Sequence, residues 1–220
     1  MGIAVMIMGA SGSGKSTSLR NFKAGEIGVF NVASKPLPFR ANLKTVNAVN
    51  YDQIKASLRR NTLNAYAIDD SQYLMVFEEF NRAKESGYGK FTDMAQNFYN
   101  LVQTAIKETT DDTIVYFLHH TDIDETGHIK AKTVGKMIDA HLTLEGMFPI
   151  VLLTGTDGTQ YWFETQSDGY TTCKSPLGMF TEKRIENDLK AVDSTIRDYW
   201  GLNKLGAKKE TKKEDNKEEK

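Results

Sequence analysis

Gly9-Ala10-Ser11-Gly12-Ser13-Gly14-Lys15-Ser16 follows the apolar run Ile3-Ala4-Val5-Met6-Ile7-Met8 and leads into Ser16-Thr17-Ser18-Leu19-Arg20-Asn21-Phe22. The octet fits G-x-x-x-x-G-K-[ST], a spacing that carries meaning only where a strand precedes it and a helix follows. Both flanks are present, so the sequence predicts a strand, a phosphate loop and a first helix in that order. Glycines let such a loop close tightly on a polyphosphate, with successive backbone N–H groups and the positive helix end facing its oxygens. The expected nucleotide-binding residues are Gly9, Ala10, Ser11, Gly12, Ser13, Gly14, Lys15, Ser16 and Thr17. Lys15 supplies a charge for the β- and γ-phosphates. The Ser16 hydroxyl offers a ligand to Mg²⁺, which shares its octahedral oxygens among water, protein and phosphate.

A second acidic motif answers the first. Asn64-Ala65-Tyr66-Ala67-Ile68 reads as a short apolar strand that delivers Asp69-Asp70 at its end. A carboxylate on a rigid strand end beside a phosphate loop is what a magnesium nucleotide needs, and Asp69 is assigned to the metal. Asp70 is the candidate to polarise an attacking water, although neighbouring strand residues face opposite sides, so one of the two acids can instead be a cap. Thr113-Ile114-Val115-Tyr116-Phe117-Leu118 is a further buried strand, ending in His119-His120. Ligands of doubly wound sheets lie beyond the carboxyl ends of the strands. One histidine of the pair can therefore face a γ-phosphate, and His119 is assigned that role. A hydrogen-bonded structural histidine is the competing reading for either.

The rest of the chain alternates strand and helix. Ile27 to Ala33 reads as a buried strand closed by the loop Ser34-Lys35-Pro36-Leu37-Pro38-Phe39, whose two prolines forbid regular pairing. Tyr51 to Arg60 reads as a helix, and Met94, Phe98, Leu101, Val102, Ala105 and Ile106 keep the spacing of an amphipathic one. Phe148 to Leu153 is another strand. Tyr161–Thr165 and Tyr170–Lys174 flank Gln166-Ser167-Asp168-Gly169 as an expected antiparallel hairpin at the sheet edge. Ile185, Leu189, Val192, Ile196 and Tyr199 mark a last helix. The expected fold is an α/β phosphate-loop core with a mainly parallel central sheet between helices, a C-terminal hairpin and a helix. One domain spans 1–202, and a charged tail over 203–220 is expected to be disordered.

With 220 residues, 40% hydrophobic and 26% charged, the chain supports one well-buried domain and not two generous ones. A formal net charge of −1 gives no global field for nucleic acid, so such binding would need a local patch. Lys130, Lys132 and Lys136 form one candidate patch, and Arg82, Lys84, Tyr88, Lys90 and Phe91 another. Lysines there would meet phosphates and aromatics would lie under splayed bases, while a merely solvated charged loop is the plain alternative. The lone Cys173 allows no internal disulfide and fits a reducing cytoplasm. The apolar start lacks a basic leader and runs straight into the loop, so it is expected as a core strand and not a signal peptide, and no stretch has the length of a membrane span.

Taken together, these residues resemble the RecA-like ATPase core. They are similar above all to small single-domain phage nucleotide-binding proteins associated with single-strand annealing and recombination. The resemblance spans roughly residues 1 to 200 by motif order. It is carried by Gly9–Ser16, Ile68-Asp69-Asp70, Leu118-His119-His120, the stretch from Gly135-Lys136-Met137 to Glu145-Gly146-Met147-Phe148, and Lys174-Ser175-Pro176-Leu177-Gly178-Met179-Phe180. It implies ATP and Mg²⁺ as ligands and single-stranded DNA as partner, held by the loop after the strand Thr113–Leu118. It further implies a homo-oligomer, as filament or ring, and a single-strand-binding protein as a further partner. Lys174 is, by the same resemblance, the cation that reaches a neighbouring subunit's nucleotide. The chain departs from the RecA pattern at Ala33-Ser34-Lys35-Pro36, where those enzymes carry a catalytic glutamate, so the usual water-activating residue is missing. A small-molecule kinase is the alternative, but Arg20, Arg40, Arg59, Arg60, Arg82, Arg184 and Arg197 form no arginine-rich lid by sequence. A GTP switch would want Asn-Lys-x-Asp, which the chain lacks.

Overall fold

The computed structural model describes residues 1–40, 42–135 and 143–206. The apolar run becomes strand β1, Ile3–Gly9, and its alternation divides the core between two faces. Ala4, Met6 and Met8 point to one side, where they meet Ile54, Leu58, Met75, Phe98 and Leu101. Val5 and Ile7 point to the other, against Leu19, Phe22, Leu189, Val192 and Ile196. A strand apolar on both faces has to be covered on both, which makes the three-layer arrangement a consequence of this heptad.

Among the described residues the other strands are β2 Gly28–Asn31, β3 Lys44–Asn47, β4 Ala65–Asp69, β5 Ile114–Ile123, β6 Ile129–Ala131, β7 Ile150–Thr156, β8 Tyr161–Glu164 and β9 Arg184–Glu186. The sheet runs β3-β2-β4-β5-β1-β7-β8-β9, with β6 pairing the far end of β5. From β3 to β7 every pairing is parallel, and β8 and β9 close one edge antiparallel. The fold is therefore α/β with a mostly parallel mixed sheet between helices. The helices are α1 Tyr51–Arg60, α2 Tyr73–Asn81, α3 Gly89–Lys107 and α4 Leu189–Trp200. Asn50 caps α1 in a reciprocal box with Gln53, and Asp188 caps α4 through the N–H groups of Lys190 and Ala191. Among the described residues no helix is long and apolar enough to cross a membrane.

Several expectations change. The segment after the loop, Ser16–Asn21, is a 3₁₀ turn and not an α-helix. The Ser18 hydroxyl donates to Lys15 O and the Ser18 N–H is shared by Gly14 O and Lys15 O, the local competition by which serine tightens a helix start. The hairpin expected between Tyr161–Thr165 and Tyr170–Lys174 does not form. β8 takes β9 as its outer neighbour, Thr165 extends that ladder to Lys183 O, and Glu164 pairs with Arg184. Gln166–Gly169 instead folds on its own side chains, and the following segment bridges Thr171 to Ile129 and Lys174 to Val151. β3, α2, β6 and β9 are not marked in the residue pattern, and Ile185, expected in the last helix, lies in β9 ahead of it. β3 is an exposed edge with one large apolar residue, Val46, and gives no period to read.

Residues 203–206, assigned to the tail, belong to the fold, while 207–220 lie outside the described residues. Asn203 is held by Asp112, Gly206 N–H donates to Asn64 Oδ1, and Leu202 and Leu205 pack on the core. The hub of this region is Arg197, 3% exposed, which donates to the fully buried Asp193, to Asp112 O, to Asn203 O and to Asn64 O. Tyr116 completes the shell by donating its hydroxyl to Asp193 at 2.8 Å. Removing one partner of such a buried pair strands the other charge. Arg197→Met is therefore expected to lower unfolding stability by about 3–5 kcal/mol in urea titrations. A loss below about 1 kcal/mol would place the anchoring of α4 in its apolar face alone.

Candidate nucleotide site

Parallel register sets the stage. Gly9 of β1 stands level with His120 of β5, and Ile68 of β4 level with Phe117, so the phosphate loop and the acidic pair leave the sheet at the same edge. The loop itself is braced from below. Ser13 and Thr154 share a hydroxyl hydrogen bond, and Thr154 also donates to Met8 O at 3.0 Å. A Cβ on Gly9 would lie 1.9 Å from Thr154 Oγ1, so only glycine lets the loop start this close to β7. Gly14 has φ +100°, and a Cβ there would meet the Tyr161 ring at 2.7 Å. The two terminal glycines are thus fixed by packing and by backbone conformation.

Lys15 is 6% exposed and folds back on its own loop, donating to Gly9 O at 2.8 Å and Ala10 O at 2.9 Å. Burial lowers its pKa to about 8, against the pull of Asp70 and Asp69. Ser16 Oγ donates to Asp69 Oδ1 at 2.8 Å, which ties the loop to the strand end two places across the sheet. Burial raises the Asp69 pKa, and the Ser16 hydroxyl works against that rise. Hydroxyl and carboxylate are the donor set a magnesium ion uses when substrate phosphates and water complete its shell. Among the described residues no group of three or more His, Cys, Asp or Glu is arranged to hold a metal by itself, and Mg²⁺ on a polyphosphate needs none.

Asp70 leaves the strand at φ +58°, a left-handed conformation costly for a residue with a Cβ. Ser34, just past the end of the adjacent β2, does the same at φ +56°. The two turns bring Asp70 and Lys35 together: Lys35 Nζ donates to Asp70 Oδ2 at 2.7 Å, and His120 Nε2 lies 3.0 Å from Oδ1. Burial pushes the Asp70 carboxyl up, but the hydrogen bonds from His120 and Lys35 prevail and bring it to about 2. Asp70 is thus no simple cap. Its partner Lys35 is not legible in the residue pattern, because the contact depends on two backbone torsions and not on spacing.

His119 requires a correction. Consecutive strand residues diverge, and His119 turns away from the phosphate loop into the core, with its ring against Phe98 at 5.5 Å. Its Nε2 lies 2.8 Å from Lys132 O, an atom that only accepts, so Nε2 carries the proton and Nδ1 accepts from Ser71 Oγ at 2.9 Å. The histidine that reaches the acidic pair is His120. Lys174 stands beside Val151, level with Met6 and about three residues, or roughly 10 Å, below the loop of its own chain.

The basic candidates do not gather at one place. Lys130 lies on β6 opposite Asp122, and Lys132 follows it, exposed, with its N–H donating to His120 O. Lys136 lies outside the described residues. Arg82 is committed to Glu78, Glu85 and Asp93 at 3.2, 2.7 and 2.8 Å, so its charge is satisfied within the α2–α3 junction. Lys90 sits over the Phe91 ring at 5.2 Å and donates to Arg82 O.

The burial of His119 has a consequence in solution. Burial, with His120 and Lys15 acting the same way, lowers its pKa from 6.5 to about 4. Below pH 6.5 the unfolded chain takes up a proton that the folded chain refuses. Stability therefore falls as pH drops from about 6.5 to about 4, and the loss is complete below that, on the order of 3 kcal/mol. His119→Gln should remove that slope, read as the difference between wild-type and variant urea midpoints across the window. A difference constant in pH would show that the ring does not titrate on unfolding.

No family model matches this chain, and no curated protein matches it.

Proposed function

We propose that this chain is a RecA-like phosphate-loop ATPase of DNA recombination, binding ATP with Mg²⁺ and single-stranded DNA. The observation that carries the nucleotide reading is the Ser16–Asp69 hydrogen bond, made between the end of the loop and a strand end across β5. It joins the two ligands a nucleotide-bound Mg²⁺ would use, beside a buried lysine already turned to the loop. The strand order supports the same reading, since the loop strand β1 and the acid strand β4 are separated by one parallel strand, β5. That order sets the ends of β1 and β4 about two strand spacings apart, near 9.6 Å, on the same edge of the sheet.

Gly9–Thr17 would hold the phosphates, Lys15 the β- and γ-oxygens, and Ser16 with Asp69 the Mg²⁺, whose chemistry is to neutralise charge on those oxygens. In hydrolysis a water oxygen bonds to the γ-phosphorus as the bond to the β–γ bridging oxygen breaks, giving ADP and inorganic phosphate. Asp70 orients the water by accepting its hydrogen bond, and the proton leaves with the phosphate.

For the polymer, the β5–β6 hairpin is the element continuous with the site. β5 passes His120 and runs on to Ile123, where it pairs with the strand carrying Lys130. We assign single-strand contact to this hairpin, and action on a neighbouring subunit's nucleotide to Lys174.

Lys15→Ala is expected to lower ATP affinity at least tenfold in calorimetry while the melting temperature of the free protein stays within a few degrees. Asp69→Asn should weaken Mg²⁺-dependent binding more than Asp70→Asn does, whereas Asp70→Asn should cut turnover more than binding. Unchanged affinity in a folded Lys15→Ala variant rejects the nucleotide site, and the opposite ranking of the aspartates exchanges their roles.

Replacing Lys130, Lys132 and Lys136 together by alanine should reduce the slope of log affinity against log salt for single-stranded DNA by about two units, since each phosphate contact on a single strand contributes roughly 0.7. ATP affinity without DNA should not change. An unaltered slope removes the hairpin from the DNA contact.

A further inference from the structure

Lys35 pairs with Asp70 and holds neither the phosphates nor Mg²⁺ in the proposed site, yet its backbone is fixed. Lys35 O accepts from Asn31 Nδ2 at 2.6 Å, Ser34 before it is left-handed, and Pro36 after it restricts the chain to extended geometry. Only the side chain has freedom. That side chain is 58% exposed, whereas its partner Asp70 is 10% exposed, so the carboxylate lies inside and the ammonium covers it from the open side.

The ammonium can leave without stranding the acid. Asp70 Oδ2 belongs to Lys35, but Oδ1 belongs to His120, which stays on its own strand. The ammonium also rides 4.9 Å from the centre of the Tyr73 ring, which offers the cation a second hold besides Asp70. Lysine suits such a movement, being a compact charge on a flexible stem. A terminal phosphoryl group presents several charged oxygens where Asp70 presents one carboxylate, so it competes well for the same cation.

Position decides which phosphate Lys35 can meet. It lies just beyond β2, and β2 is separated from β1 by β4 and β5, a span of about 14 Å at roughly 4.8 Å per strand. A lysine stem starting there approaches the site from the side of β4 and Asp70, away from the loop strand β1. We propose that Lys35 is a γ-phosphate ligand whose ammonium passes from Asp70 to the terminal phosphoryl group, leaving Asp70 Oδ2 open to the attacking water. This rests on the nucleotide reading of the same site. It adds that the chain distinguishes triphosphate from diphosphate by a cation supplied from β2, and that Asp70 becomes available only when the triphosphate is present.

The test is calorimetric and needs no turnover. The full chain, with Mg²⁺, is titrated with ADP and with a non-hydrolysable ATP analogue, as wild type, Lys35→Met and Lys35→Arg. Lys35→Met should weaken analogue binding about tenfold, the value of one charge-assisted hydrogen bond, and leave ADP binding within about twofold. Lys35→Arg should recover most of the loss. A lysine that only neutralises Asp70 would change the melting temperature and leave the ratio of the two affinities alone, and that outcome overturns the proposal. Equal weakening of both ligands overturns it as well. A wild type that binds neither ligand overturns the nucleotide site and this inference together, whereas wild-type binding with an unaltered ratio in Lys35→Met removes Lys35 only.

Discussion

Parallel pairing of β4, β5 and β1 is the constraint on which the site depends, because it fixes what stands level at one edge. Parallel neighbours point their carboxyl ends the same way, so the groups just beyond Gly9 and Asp69 meet His120 of β5, which itself runs on to Ile123, without any loop having to search for it. The Ser16–Asp69 hydrogen bond is possible only because β5 stands between the two strands and keeps them level. The Thr154 hydroxyl extends the same logic to the other side, joining β7 to Ser13 and to Met8 O. Loop, acid and brace are one consequence of register.

Electrostatics follow from that delivery. Two carboxylates and two ammonium groups converge at the sheet edge, and each carboxylate has a distinct kind of partner: Asp69 a hydroxyl, Asp70 a lysine and a histidine. The environments push the acids apart, Asp69 upward by burial and Asp70 downward by its charged and ring partners. Environments that separate two adjacent carboxyls suit them to different tasks. On the far face, Arg197 and Asp193 show the contrasting case, a buried pair surrounded by carbonyls that anchors a helix and faces no cleft.

Where the sequence was readable, a period or a motif tied to local physics made it so. Ile3 to Met8 is apolar at every position and could only be a strand covered twice, and Tyr51 to Arg60 was legible as a helix, which the structure closes with Asn50 and Asn61. The loop motif and the acids at the end of β4 were legible as positions, and the Ser16–Asp69 hydrogen bond brings them together. What escaped depended on contacts between distant segments or on single torsions. β3 is too exposed and short to show alternation, and the Lys35–Asp70 contact follows from φ values at Ser34 and Asp70. The choice between His119 and His120 turned on which strand face lay inward, which adjacent identical residues cannot reveal. The segment Tyr170–Lys174 reads as a hairpin arm by composition, but β9, a strand of three residues with two charges, had already taken the place beside β8.

The placement of β1 in the sheet also bears on how the chain is made. Its two sheet neighbours begin at residues 114 and 150, so β1 leaves the ribosome with no sheet partner among the hundred residues that follow it. At about 5–20 residues per second, synthesis of that interval takes on the order of ten seconds. Throughout, six consecutive apolar residues and the glycine-rich segment behind them stay unpaired, in a topology whose long-range pairings are intrinsically slow to form. The element that carries the candidate site is thus made well before either of its sheet neighbours, and the burden of keeping it from other chains falls on the cell during translation and not on the finished fold.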